Sequence, residues 1–267
     1  MGWFSSICSS ISSGIRSVCS GISSVCSSIS RGISAAVDKI SGLCSSIGPA
    51  LSVISKIVAC IPGCQGLAAV MGTIGRIATV IAVITGVFRQ DERVEDIGER
   101  ALQAEEQGIT LKSCNGDFKA YMEKVRNLKL DPDKMHEKNE QIMAGCMVAE
   151  QGIREANPKL STVSLYPLAM FSDLCSADRL KKWAETAQRM DMPLSSIAKF
   201  YLGSTVFNAI FPEEGKKANA MDGRKAAVAA EKELHPDLNK NAINDDIDKT
   251  KKNIEDILKH AAENYKE

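Results

Sequence analysis

Fourteen aliphatic residues mark one face of the leading part of this chain: Ile7, Ile11, Ile15, Val18, Ile22, Val25, Ile29, Ile33, Val37, Ile40, Leu43, Ile47, Leu51 and Ile54. Thirteen steps cover 47 residues, a mean of 3.6, which is the α-helical period. The pattern therefore predicts helix with one continuous apolar stripe. The other positions are almost wholly Ser and Gly, and Arg16, Arg31, Asp38, Lys39 and Lys56 carry the charge of this stretch. A crude 11-residue repeat underlies it: SSICSSISSGI at 5–15, RSVCSGISSVC at 16–26, SSISRGISAAV at 27–37 and DKISGLCSSIG at 38–48. Eleven residues make three turns at about 3.67 per turn, so successive repeats keep the stripe nearly in line.

Ser and Gly are mediocre and poor helix formers, and Gly14, Gly21, Gly32, Gly42 and Gly48 each cost roughly 1 kcal/mol relative to Ala. Burial of the stripe must supply the stability, since each fully buried Ile or Val contributes roughly 1.5–3 kcal/mol. Folding and docking are expected to be one event, with cover from outside the chain's own fold. The expected contact residues, for lipid or for another subunit, are Trp3, Phe4, Ile7, Ile11, Ile15, Val18, Ile22, Ile29, Ile33 and Ile40. The aromatic pair suits the headgroup zone of a bilayer. In period the segment resembles the amphipathic repeats of apolipoproteins, synucleins and lipid-droplet coat proteins. It departs from them in charge, being far poorer in Lys and Glu.

Pro62-Gly63 breaks the pattern. Residues 65–88 follow as an apolar run with one charge, Arg76, long enough for the roughly 20 residues that cross a bilayer core. Ala68, Gly72, Gly75, Thr79, Ala82 and Gly86 recur at steps of 4, 3, 4, 3 and 4, a stripe of small residues suited to close helix packing. Arg76 borders that stripe. A central Arg costs a lone span roughly 2.5–3.5 kcal/mol, so it is expected to face a bundle interior or a wet lumen.

From Arg89 onward the chain reads as soluble helices. Residues 91–108 form a charged helix. Asn115-Gly116 is a turn, and Asp117 caps a helix carrying Phe118, Tyr121, Met122, Val125 and Leu128. Asp131-Pro132 opens a helix burying Ile142, Cys146 and Ile153. Ser176 caps 177–191, which carries Trp183. Pro193 opens a helix with Ile197, Phe200, Phe207 and Phe211, stopped by Pro212. A polar helix runs to Leu234, where His235-Pro236 ends it, and the last helix places Ile243, Ile247, Ile254, Ile257 and Ala261 on one face. The expected class is all-α, with long amphipathic or apolar N-terminal helices followed by a soluble multi-helix region. The expected divisions are 1–60 (repeat), 61–88 (apolar helix, a possible membrane span) and 89–267 (soluble helical domain).

Net charge is zero but unevenly placed: residues 1–88 hold five Lys/Arg and one Asp, +4, and the rest hold 28 basic and 32 acidic residues, −4. Charge this dilute does not predict nucleic-acid binding, which needs clustered Lys and Arg. It suits weak attraction to anionic lipid. The nine cysteines lack the tight even spacing of a secreted disulfide scaffold, which points to a reducing cytoplasm. No basic region followed by a continuous apolar run marks a secretory leader.

Cys8, Cys19, Cys26 and Cys44 lie about 11, 7 and 18 residues apart, which places them together at the edge of the apolar face. They are candidates for acylation or crosslinking, set against a plain role as small hydrophobes. Met1-Gly2-Trp3-Phe4-Ser5-Ser6 matches the myristoylation pattern only in outline, because Trp3 is bulky beside Gly2. Cys60 and Cys64 lack further metal ligands nearby. The Asp245-Asp246-Ile247-Asp248 cluster opens a helix, where acidic charge complements the macrodipole. No phosphate loop, dinucleotide loop, HExxH or Ser/His/Asp set is present. Neither catalysis nor a cofactor or metal is expected.

The expected role is a membrane-active, self-associating structural protein whose N-terminal helices insert in or coat a bilayer, as a pore or a scaffold. Its partners would be lipid and copies of itself. The alternative is a component of a large assembly (a virion, an ejection apparatus or a filament) with those helices packed on other subunits. An enzyme anchored by its N-terminus is a third reading.

Overall fold

Short polar residues cap the starts of several helices, among them Asp117, Ser176 and Asn219. The computed structural model describes residues 43–60 and 66–264, and their regular structure is all helical. The first described helix, α1 (Leu43–Cys60), is the end of the aliphatic stripe. Gly66, at φ 88°, turns the chain into α2 (Leu67–Ile84). Next come α3 (Val94–Glu106) and α4 (Phe118–Asn127). Asn115 at φ 56° and Gly116 at φ 80° make the turn before α4, and Asp117 caps it by accepting from the Ala120 amide at 3.0 Å.

The long helix after Asp131-Pro132 starts later than its sequence signal. Asp131 caps a single 3-10 turn (Pro132–Lys134), whereas α5 (Lys138–Ala156) begins where the Glu140 carboxylate reaches back to the Glu137 amide at 3.2 Å. Val163–Met170 is a 3-10 stretch with Pro167 inside it. Ser176 Oγ accepts from the Arg179 amide at 3.3 Å and opens α6 (Ala177–Arg189).

The helix expected from Pro193 to Phe211 is split. Gly203 sits at φ 79°, a left-handed conformation that ends α7 (Ser195–Leu202) and lets α8 (Ser204–Ile210) leave at a new angle. Pro212 starts α9 (Pro212–Lys217) rather than only stopping the run before it. The chain closes with α10 (Ala220–Leu234) and α11 (Lys240–Asn264). Ile243, Ile247 and Ile254 of α11 are buried, and the seam then passes to Leu258 while Ile257 is only half-buried.

The change of composition at Arg89 does not coincide with an edge of the core. Side chains from α1 and α2 belong to the same buried cluster as those of the later helices. α2 lies in the middle of it, packed on α5, α6, α3, α1 and the 3-10 stretches Val163–Met170 and Ser172–Cys175. Met71, Ile77, Ala78, Ile81 and Ala82 are fully buried there.

The tightest crossing joins α3 and α5 and depends on two facing glycines. A Cβ on Gly98 would lie 1.8 Å from the Gln141 carbonyl oxygen, and one on Gly145 would lie 1.9 Å from that of Val94. Only residues without a side chain let these two backbones touch. This small-residue contact sits outside the stripe that the sequence pattern singled out.

Candidate contact surface and buried polar clusters

Of the expected contact residues, Trp3, Phe4, Ile7, Ile11, Ile15, Val18, Ile22, Ile29, Ile33 and Ile40 lie outside the described residues, as do Cys8, Cys19 and Cys26. The stripe enters the described region at Leu43, and from there its cover is the chain itself. Leu43, Ile47, Ala50, Ile54 and Val58 follow at steps of 4, 3, 4 and 4 and are all buried, against α5, α2 and α3. Here the expectation of cover from outside the fold is corrected. The helical body offers an apolar surface of its own, and Leu43, Ile47, Ile54 and Val58, at roughly 1.5–3 kcal/mol each, hold α1 on it with the smaller Ala50.

Charge adds to this seat: the Cys44 amide donates to Glu105 Oε2 of α3 at 3.2 Å. The Cys44 thiol is exposed. Partial desolvation first, then the Glu105 carboxylate, push its pKa up to about 11. A thiol held there carries little thiolate at neutral pH and is a slow nucleophile.

The six small residues of α2 do not act as one stripe. Gly75 is closely packed, since a Cβ there would lie 3.0 Å from Val94 and 3.2 Å from Ile142. Thr79 Oγ1 accepts from the Val94 amide at 3.3 Å. The Ala82 carbonyl takes the amides of Val87 and Phe88 at 2.8 and 3.0 Å. Ala68, Gly72 and Gly86 are exposed. Arg76 is mostly exposed and donates from Nη1 to the Cys175 carbonyl at 3.1 Å. Half of α2 is buried, and the helix is long and apolar enough to cross a membrane.

Three buried carboxylates organise the body, and none was legible as a site in the sequence. Glu99 of α3 is 1% exposed. Its Oε1 accepts from Gln103 Nε2 at 2.7 Å and faces His136 Nδ1 at 3.2 Å. Its Oε2 accepts from the His136 amide and from Gln141 Nε2, both at 3.1 Å. Burial alone would raise this carboxyl, but the hydrogen bonds from His136 and Gln103 outweigh it and hold it below the usual carboxylate range. Gln103 also exchanges bonds with the Asp131 backbone, and Arg100 Nη1 donates to the Arg126 and Leu128 carbonyls. The cluster straps the segment 128–137 onto α3.

Glu150 of α5 is fully buried and fully partnered. It takes Arg154 Nε at 2.6 Å, Ser161 Oγ at 2.5 Å, and both the amide and hydroxyl of Thr162 at 2.8 Å. Glu231 of α10 pairs with Arg179 of α6 through two bonds, at 2.5 and 3.1 Å. At the surface end of α4, Glu92 takes Arg126 Nε and Nη2 at 2.6 and 2.8 Å. Burial opposes ionisation there, but the guanidinium wins and keeps Glu92 below its ordinary value. Glu99 and Glu150 each take four donors from their own fold, Glu92 and Glu231 each hold an arginine, and all four carboxylates join separate elements.

Burial raises the pKa of Cys146, and it pushes Cys175 up to about 12. Both thiols are packed as small hydrophobes. Among the described residues no group of three or more His, Cys, Asp or Glu is placed to hold a metal ion. Comparison with protein-family models, with curated proteins and with solved structures found no match to this chain.

Proposed function

We propose that the chain is a membrane-active, self-associating structural protein in which residues 1–42 meet a bilayer and the helical body carries them. The observation that supports this best is the division of labour along one stripe. Its last turns, Leu43 to Val58, dock on the body. The ten expected contact residues from Trp3 to Ile40 continue the same pattern ahead of that docking point. Burying each aliphatic in the interface contributes roughly 1.5–3 kcal/mol, and Arg16 and Arg31 each add about 1 kcal/mol beside anionic lipid.

In this reading the membrane contact is a coat. α2 stays in the body, where Met71, Ile77 and Ile81 have protein on every side. A pore would require those side chains to exchange the core for lipid.

A second reading, a subunit of a large assembly, draws on a specific contact. The described end of the stripe is covered by protein, and a neighbouring copy could cover the rest in the same manner.

Flotation with anionic vesicles separates the two. The full chain is expected to float, and the triple variant Ile11→Asp, Ile22→Asp, Ile33→Asp to stay at the bottom with an unchanged melting temperature. If the unaltered chain stays at the bottom and sediments as large particles without lipid, the assembly reading replaces the membrane one.

A further inference from the structure

A cavity of about 620 Å³ opens between α7, α8, α10 and α11, on the far side of the chain's order from α1. Its walls are largely apolar: Phe200 and Leu202 of α7, Val206 of α8, Met221 of α10 and Leu258 of α11. The bend at Gly203 creates it, because α8 departs there instead of continuing α7 across the gap. Met221 is 66% exposed at the rim, a flexible thioether that can fold over whatever enters.

The charged residues that line this space are Lys199, Arg224, Lys251, Glu255 and Asp256. Arg224 is matched by Asp248 at 3.0 Å, and Lys251 by Glu255. Lys199 differs from both. It is 9% exposed, and its ammonium donates to two backbone carbonyls, Gly215 at 2.8 Å and Ala218 at 3.1 Å. Those carbonyls close the end of α9, so they solvate the ammonium with partial negative charge. Among the described residues no carboxylate stands within ion-pair distance of it. An ammonium has three donors, so one remains for a further acceptor. A buried cation held only by neutral acceptors at an apolar cavity gains most from an anion brought in by a ligand.

We infer that this cavity binds a small amphiphile with an apolar body and a carboxylate head, the head paired with Lys199 and the body against Phe200, Leu202, Val206 and Leu258. The volume lies within the range of roughly 300–1,000 Å³ typical of small-molecule sites. No residue lining the cavity belongs to the N-terminal stripe, so the fate of this inference and that of the membrane reading are separable.

The test uses the full chain labelled with 13C-methyl methionine and titrated with sub-micellar dodecanoate. The Met221 methyl resonance is expected to shift saturably while those of Met135 and Met190, exposed elsewhere, stay in place. Ligand held only by residues 1–42 would leave Met221 unmoved. Dodecanol and dodecyltrimethylammonium are expected to bind at least about tenfold more weakly, and Lys199→Met to weaken dodecanoate by about the same factor, the scale of one charge-assisted bond. A stationary Met221 overturns the inference. So do equal affinities for the three head groups on the unaltered chain, a comparison that decides even if Lys199→Met does not fold.

Discussion

α2 and the aliphatic stripe are the two apolar regions of this molecule, and they differ in how they are covered. α2 is apolar on every side, carries one charge and sits at the centre of a helical body. The stripe is apolar on one side only and has a serine back. At its described end, in α1, Leu43, Ile47 and Ile54 are buried on the body. In this fold half of the helix that is long and apolar enough to cross a membrane is buried against other helices. Total hydropathy alone does not say which of the two the fold covers. What matters is whether the rest of the chain supplies a matching surface.

The comparison breaks first at α2. Ile77→Asp places an unpaired charge at a fully buried position and is expected to unfold the body, a loss above about 4 kcal/mol by chemical denaturation. Ile22→Asp, in the repeat, is expected to leave the same denaturation midpoint in place. A shared loss would mean that the repeat belongs to the core.

Gly145→Ala comes next. Its new Cβ meets a backbone oxygen at 1.9 Å, so α3 and α5 must move apart, costing about 3 kcal/mol in denaturant melts. Gly72→Ala, where a Cβ meets nothing within 4 Å, is expected to be neutral or slightly stabilising, and this pair separates packed from unpacked small residues. Ile54→Ala then probes the seat of α1, with an expected loss of about 2 kcal/mol.

Acid acts on the body rather than on the repeat. Glu92 and Glu99 have carboxyl pKa values below the ordinary 4.5, so their contribution is complete above that pH and is lost as pH falls through the depressed native values. Melting temperature is expected to drop below pH 4.5, and Glu99→Gln to flatten that dependence. The smallest effect is chemical. Cys44, with its pKa near 11, is expected to alkylate slowly at neutral pH in peptide mapping, and Glu105→Gln to speed it up by removing the adjacent charge.

Local signals in the sequence located the helix starts at Asp117 and Ser176, because a capping side chain and its amide are three residues apart. The split at Gly203 was hidden, since a glycine inside an apolar period reads as a tolerated defect until its φ is known. The 3-10 stretch Val163–Met170 is mostly apolar and follows neither period. The burial of Glu99 and Gln103 was out of reach for another reason. Their partners, His136 and Asp131, stand 37 and 28 residues away, and a charged helix reads as solvated when nothing shows what will be laid across it. The same holds for α1: its stripe was plain in the sequence, but the surface that receives it is assembled from α2, α3 and α5 only when the chain folds.

The central claim is that the repeat waits for an outside partner while α2 does not. Hydrogen exchange read by mass spectrometry, on the full chain with and without anionic vesicles, tests it most directly. The account predicts that amides in residues 5–40 gain protection only when vesicles are present, and that those of 67–84 are protected to the same degree in both samples. Equal protection of 5–40 in the lipid-free monomer, or loss of protection in 67–84 on adding vesicles, would contradict it.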